Sequence, residues 1–112
     1  MGKKQPSVAE PVLVANGKKE SRVTLGPVLD IRAAAPLRDG LRKAMKRGKP
    51  IIVDAAQVDR LSTPCIQVLL AAGKSAEAGA GRIVLAQASD AFVAAFSDLG
   101  LFANLMSWQA EA

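Results

Sequence analysis

The residues best placed to do chemistry are Leu61-Ser62-Thr63-Pro64-Cys65. Two hydroxyls directly before a proline mark the start of a helix. One can cap it, and proline fits the first turn because its missing N–H has no intrahelical partner there. A helix start also favours negative charge through its free N–H groups. A phosphate on Ser62 or Thr63 would add about −1.5 to −2 charges at that point. The motif by itself is therefore compatible with a plain helix cap or with a modification switch. Cys65 sits where a helix start would lower a thiol pKa. With no His in the chain and no base nearby, it reads as a small packing residue.

No other constellation survives. One Cys and no His exclude a disulfide framework, a Cys/His zinc site and a His-based nucleophile pair within the chain. Asp30, Asp54, Asp59, Asp90 and Asp98 lack the spacing of paired acid–base carboxylates, and no Gly-rich phosphate loop is present. The expectation is a protein that is not an enzyme and holds no cofactor or metal.

Charge points to one segment. Residues 38–49 hold six basic groups and one acid, which accounts for the whole net charge of +5 over 112 residues. Arg38, Arg42, Lys43, Lys46 and Arg47 cover one helical face. That face fits a solvated surface, an acidic protein partner, or an anionic nucleic acid or membrane. Neutrality elsewhere argues against tracking a phosphate backbone. Four aromatics, Phe92, Phe96, Phe102 and Trp108, are too few for a stacking platform. The expectation is a cytoplasmic chain without nucleic acid or direct membrane insertion, because no apolar run reaches spanning length.

The elements that must position these residues follow from periodicity. Residues 1–10 lack it and read as a mobile tail, with one domain over 11–112. Residues 11–15 and 21–26 are predicted to pair antiparallel through an Asn16-Gly17 turn. Val28 to Ile31 reads as extended. Ala34, Leu37, Leu41, Ala44 and Met45 share one face of a helix over 34–47, despite Gly40. Residues 50–54 and 82–86 are apolar runs suited to strands buried on both faces, with a loop over 55–61. A helix is expected over 64 to about 78. Its stripe of Ile66, Leu69, Leu70 and Gly73 faces the core; Val68 and Ala71 fall opposite, towards a partner surface or covering loops. Ser89 caps a third helix that Gly100 ends, and the last strand is expected at 104–108. The result is an α/β fold: about five strands in a mixed sheet, an initial hairpin followed by parallel βαβ units, and three helices.

In this order the chain resembles the STAS family, the sulfate transporter and anti-sigma factor antagonist domains, over roughly residues 11–108. Gly26-Pro27-Val28-Leu29-Asp30 with Ala34 and Leu37 resembles the segment before the family's first helix. Ile51-Ile52-Val53-Asp54, Val58 and Leu61 through Ile66 resemble the strand and loop leading to its Asp-Ser-Ser-Gly-Leu site. Phe92 to Phe96 with Leu99-Gly100-Leu101-Phe102 resembles its late helix.

The resemblance implies a non-enzymatic adaptor whose partner is an anti-sigma-type Ser/Thr kinase or a chemotaxis or stress-signalling protein. Thr63 matches the hydroxyl phosphorylated in the antagonists. Ser62 stands where the family has Asp and is a second candidate acceptor, while Pro64 and Cys65 replace small residues. Asp30 is implied to flank the site. The expected partner surface comprises Asp30, Ser62, Thr63, Pro64, Cys65, Ile66, Val68 and Ala71, with Arg42 and Lys46 beside it. The family's last helix is expected to be short or absent. The alternative is a constitutive STAS subunit of a lipid-transport complex that binds a transporter ATPase.

Overall fold

The computed structural model describes residues 11–80 and 82–108. The tail expected over residues 1–10 lies outside them. The first strands, β1 (Val12–Asn16) and β2 (Ser21–Leu25), pair antiparallel from Val12↔Leu25 to Asn16↔Ser21. The tight Asn16-Gly17 turn is not formed. Asn16 closes the ladder, the loop covers residues 17–20, and Gly17 N–H donates to the Glu20 carbonyl at 2.8 Å. The only positive φ angles among the described residues belong to Gly48, Gly79 and Gly100, so this hairpin uses none.

Two further strands, β3 (Val28–Leu29) and β4 (Ile51–Ala55), flank helix α1 (Ala34–Lys46), which a 3-10 turn over Ile31–Ala33 precedes. The loop expected over 55–61 contains β5 (Arg60–Leu61), which pairs parallel with β3 as a separate two-stranded ladder. Helix α2 (Thr63–Ser75) then ends in a widened turn over Ala76–Ala80, where Gly79 takes a φ of 110°. Strand β6 (Ile83–Ala88) and helix α3 (Asp90–Asp98) follow. Ser89 caps α3 as expected, its Oγ accepting from the Phe92 N–H at 3.1 Å.

The last segment corrects the sequence reading. Residues 104–108 do not form a strand; they belong to helix α4 (Phe102–Ser107) and the Trp108 that follows it. Leu105 and Trp108, three apart, are buried, while Phe102 and Met106 stay about half exposed. That spacing suits one face of a helix, not alternate sides of a strand. A single backbone bond, from the Leu85 N–H to the Trp108 carbonyl, stands where the extra strand was expected.

The main sheet has the order β1-β2-β4-β6, with β2/β4 and β4/β6 parallel. Its strands are not buried on both faces. Val23, Val53 and Leu85 lie in register on the buried face, whereas Ile52 and Val84 on the other face are only partly covered. Right-handed βαβ crossovers that advance in one direction across a sheet leave their helices on the same side. One core results, joining the inner sheet face to Leu37, Leu41, Ile66, Leu69, Phe92, Phe96 and Leu105. Gly40 belongs to this packing. A Cβ there would come within 3.1 Å of Val14 Cγ2 and 3.6 Å of Val12 Cγ1, so the glycine lets α1 approach the edge strand β1. This close packing offsets a helix-propensity loss of about 1 kcal/mol.

Candidate functional site

The Ser62-Thr63 pair lies beyond the carboxyl end of β4, where open α/β sheets tend to place ligand chemistry. The β3–β5 ladder fixes its position. Pro27 accepts from the Asp59 and Arg60 N–H groups at 2.7 and 3.0 Å, and Leu29 accepts from the Ser62 N–H at 2.8 Å. Ser89 anchors the preceding loop by donating its hydroxyl to the Val58 carbonyl at 2.5 Å.

Ser62 occupies the cap position with extended backbone, and its carbonyl accepts the first helical bond from the Ile66 N–H at 3.0 Å. Its side chain does not cap. A cap oxygen normally accepts from the second or third helical N–H. Here the second helical residue is Pro64, which has none, and no bond forms to the third, Cys65. Ser62 Oγ lies beside the Cys65 thiol, sealed from solvent and without a hydrogen-bond partner of normal geometry. Thr63, the first helical residue, is exposed. The two hydroxyls are therefore unequal: one is accessible and one is enclosed.

Asp30 sits alongside, as expected. Its carboxylate accepts from the Arg32 backbone N–H at 3.0 Å and pairs with the Arg32 guanidinium at 2.8 Å. That side-chain bond to Arg32 holds the Asp30 carboxyl below its ordinary range. The Asp30 backbone carbonyl accepts from the Cys65 thiol at 3.4 Å, tying the first helical turns of the two crossovers together. Burial pushes the thiol above its ordinary value; the neighbouring Ser62 hydroxyl offsets part of this, and the Asp30 carboxylate adds to it. Cys65 is thus a buried, protonated packing group.

The expected partner surface is only partly assembled. Cys65 and Ile66 point into the core at 0% and 2% exposure, so neither presents a side chain to a partner. The reason is helical phase: both share the inner face of α2 with Leu69 and Ala72. Pro64, Val68 and Ala71 do lie at the surface, and with Arg42 they line a groove between α1 and α2 of about 440 Å³. Lys46 is exposed further along α1.

Two of the basic residues are structural. Arg47 donates to Ser21 Oγ at 2.6 Å and to the Gly17 carbonyl at 2.5 Å, while Lys49 bonds the Lys18 carbonyl. They pin the hairpin loop to the end of α1. The sequence reading missed Arg32 and the exposed apolar pair Val28 and Ile31, 49% and 68% accessible, beside Asp30. The short stretch Val28-Leu29-Asp30-Ile31 gave no sign of which apolar members would be covered.

Among the described residues no group of three or more His, Cys, Asp or Glu side chains could hold a metal. The arrangement offers a helix-start surface with one accessible hydroxyl, on an α/β sheet whose buried face carries the helices. The chain belongs to the STAS family: the family model described as Mlab, STAS domain, matches residues 12–107.

Solved structures agree on the fold. The anti-sigma factor antagonist SpoIIAA in its unphosphorylated form superposes with a TM-score of 0.71 at 21% identity, covering 90% of this chain and 87% of that one. The Bacillus cell fate determinant SpoIIAA in its phosphorylated form gives 0.69 at 21% identity, covering 90% of each chain. A sulfate transporter family protein from Wolinella succinogenes gives 0.67 at 18% identity, covering 95% of this chain and 86% of that one. No curated protein sequence matches.

Proposed function

We propose that this chain is a non-enzymatic bacterial signalling adaptor of the anti-sigma factor antagonist type. It binds a protein partner at the start of α2 and is switched by phosphorylation at Thr63. The observation that carries this reading is the inequality of the two hydroxyls. Thr63 is exposed at the first helical position, while Ser62 Oγ is sealed from solvent. A kinase reaches the first without unfolding anything, which makes Thr63 the acceptor ahead of Ser62. A phosphate there is compatible with the free N–H groups of the helix start, so the fold persists. It opposes a partner because a dianion must be desolvated when a protein surface closes over the helix start.

The partner is a Ser/Thr kinase of the anti-sigma type or a chemotaxis or stress-signalling protein, and the proposed setting is the cytoplasm, where ATP-dependent kinases act. Cys65, whose thiol is buried and pushed away from ionisation, is unsuited to act as a nucleophile. Incubation with ATP and the cognate kinase, followed by phosphate mapping, tests the switch. Phosphate on Thr63 is the expected result, with partner binding lost in Thr63→Asp and kept in Thr63→Ala. No modification at either hydroxyl removes the switch.

The family resemblance implies a second reading, a constitutive STAS subunit of a lipid-transport complex that binds a transporter ATPase, and the likeness to a sulfate transporter family protein supports a transport setting. It predicts an unmodified Thr63 and a complex that forms without regard to kinase.

Among the described residues no helix is long and apolar enough to cross a membrane.

A further inference from the structure

The groove between α1 and α2 has a floor and walls of small or apolar side chains, chiefly Ala34, Leu41, Met45, Val68, Ala71 and Ala72. Three of these residues are alanines, whose short side chains leave space between the helices. Its lining runs from Ala34 to Met45 on α1 and from Pro64 to Ser75 on α2, about 16 Å along each helix at 1.5 Å per residue. Its volume of about 440 Å³ lies in the ~300–1,000 Å³ range of clefts that desolvate a ligand.

Charge on the groove has one sign. Arg38 and Arg42 form part of its lining, which includes no acidic residue. With Lys46 they recur at every fourth position, a stripe about 12 Å long on one side of α1. Arg38 is shared with Asp39 at 3.4 Å, but Arg42, Lys43 and Lys46 have no ion pair among the described residues. Arg47 and Lys49, by contrast, are consumed by the hairpin loop. Among the described residues, the α1 side of the groove thus carries Arg38 and Arg42 in the lining, with exposed Lys46 one turn further along.

We propose that this groove docks an acidic amphipathic helix of a partner protein. Aliphatic side chains at i, i+4 and i+7 enter the channel, and Asp or Glu on the adjoining flank meet the Arg38–Arg42–Lys46 stripe. Cations spread over two turns complement a row of carboxylates, which a single anionic head group does not provide. The inference extends the proposed function by naming the chemistry of the partner, and it rests on that reading only in taking the α2 side of the sheet as the partner side. Pro64, at the mouth of the groove, follows Thr63 directly, so a docked helix would end beside the switch.

The test uses the intact chain labelled with nitrogen-15 and a synthetic peptide of about 14 residues, with Leu at i, i+4 and i+7 flanked by Glu. A twin carries Lys for every Glu. In about 50 mM salt the acidic peptide is expected to shift the amides of Leu41, Met45, Val68 and Ala72, and the Lys twin is not. Raising salt to about 500 mM should weaken binding several-fold. Arg38→Glu with Arg42→Glu should reduce acidic-peptide affinity at least about tenfold and reverse the preference between twins. Ala71→Glu should block the channel while Trp108 fluorescence reports an unchanged fold.

Equal shifts from both twins, or none in the groove, overturn the proposal. So does line broadening of these amides with protein concentration alone, which would assign the groove to a second copy. Phosphatidylglycerol vesicles shifting the same amides while the acidic peptide does not would assign the stripe to a lipid surface and equally overturn it. The peptide assay involves neither phosphate nor Thr63. Its failure leaves the Thr63 switch standing, and loss of the switch leaves the groove result intact.

Discussion

Gly73 and Trp108 offer a quantitative test of how the helix bearing Thr63 is held. A Cβ placed on Gly73 would come within 2.7 Å of Trp108 Cζ2, 2.9 Å of Nε1 and 3.0 Å of Cε2. All three atoms belong to a rigid ring that cannot yield by a rotamer change at its tip. The ring is nearly buried, packs edge-on against Phe96 at 5.8 Å, and its backbone carbonyl accepts from Leu85 at 2.6 Å. Gly73→Ala must therefore push the indole outward or lift the end of α2. Overpacking of this kind costs about 1–3 kcal/mol. Against it stands the helix propensity of Ala over Gly, about 1 kcal/mol.

The expected net is a loss of up to about 2 kcal/mol, with a fall in melting temperature of about 4–8 °C per kcal/mol for a domain of this size. Trp108 is the only tryptophan, so its emission reports the displacement directly and should move to the red. In a Trp108→Phe background the clashing indole atoms are gone, and Gly73→Ala should become neutral or stabilising. A double-mutant cycle then gives a coupling of about 1–3 kcal/mol, the overpacking cost itself. If Gly73→Ala raises the melting temperature with Trp108 present and leaves its emission unchanged, the close approach has no energetic consequence and the reasoning fails.

Two other outcomes follow from the site. Ser62→Ala should change stability by less than about 0.5 kcal/mol in chemical denaturation, although loss of a serine cap ordinarily costs about 0.5–2 kcal/mol, because Ser62 Oγ makes no cap bond; a full cap-sized loss would show that the hydroxyl does cap. Burial raises the folded thiol pKa of Cys65 above its ordinary 9.0, so its contribution to stability is complete below the unfolded-state value. It declines from about pH 9 upward, as the unfolded chain releases a proton that the folded one keeps. Denaturation measured across pH 8–10.5 should therefore show a steeper loss for the native sequence than for Cys65→Ala, and parallel curves would contradict the assignment.

Local pattern was enough for the elements with long periodicity. The 3.6-residue recurrence of Leu37, Leu41 and Ala44 defines α1, and Ser89 marks the start of α3. The Ser62-Thr63-Pro64 sequence locates the start of α2 to within a residue, because Pro and an N-cap constrain backbone geometry whatever surrounds them. Short elements carried no such signal. β3 and β5 are two residues each, and only their mutual hydrogen bonds make them strands. That ladder is what brings Asp30 to Cys65.

What the chain alone determines is the order of its main elements and the place of its hydroxyl pair, since these depend on side-chain spacing and backbone restriction within a dozen residues. The tertiary structure decides the rest. It turns residues 102–107 into a helix because Leu105 and Trp108 both reach the core from one helical face. It separates exposed Thr63 from enclosed Ser62, and withdraws Cys65 and Ile66 from the surface. It divides the basic segment between a loop anchor and a stripe along α1 in which only Arg38 is ion-paired among the described residues. Each of these depends on which distant residue becomes a neighbour, and burial, pairing and desolvation are properties of neighbours rather than of a sequence position.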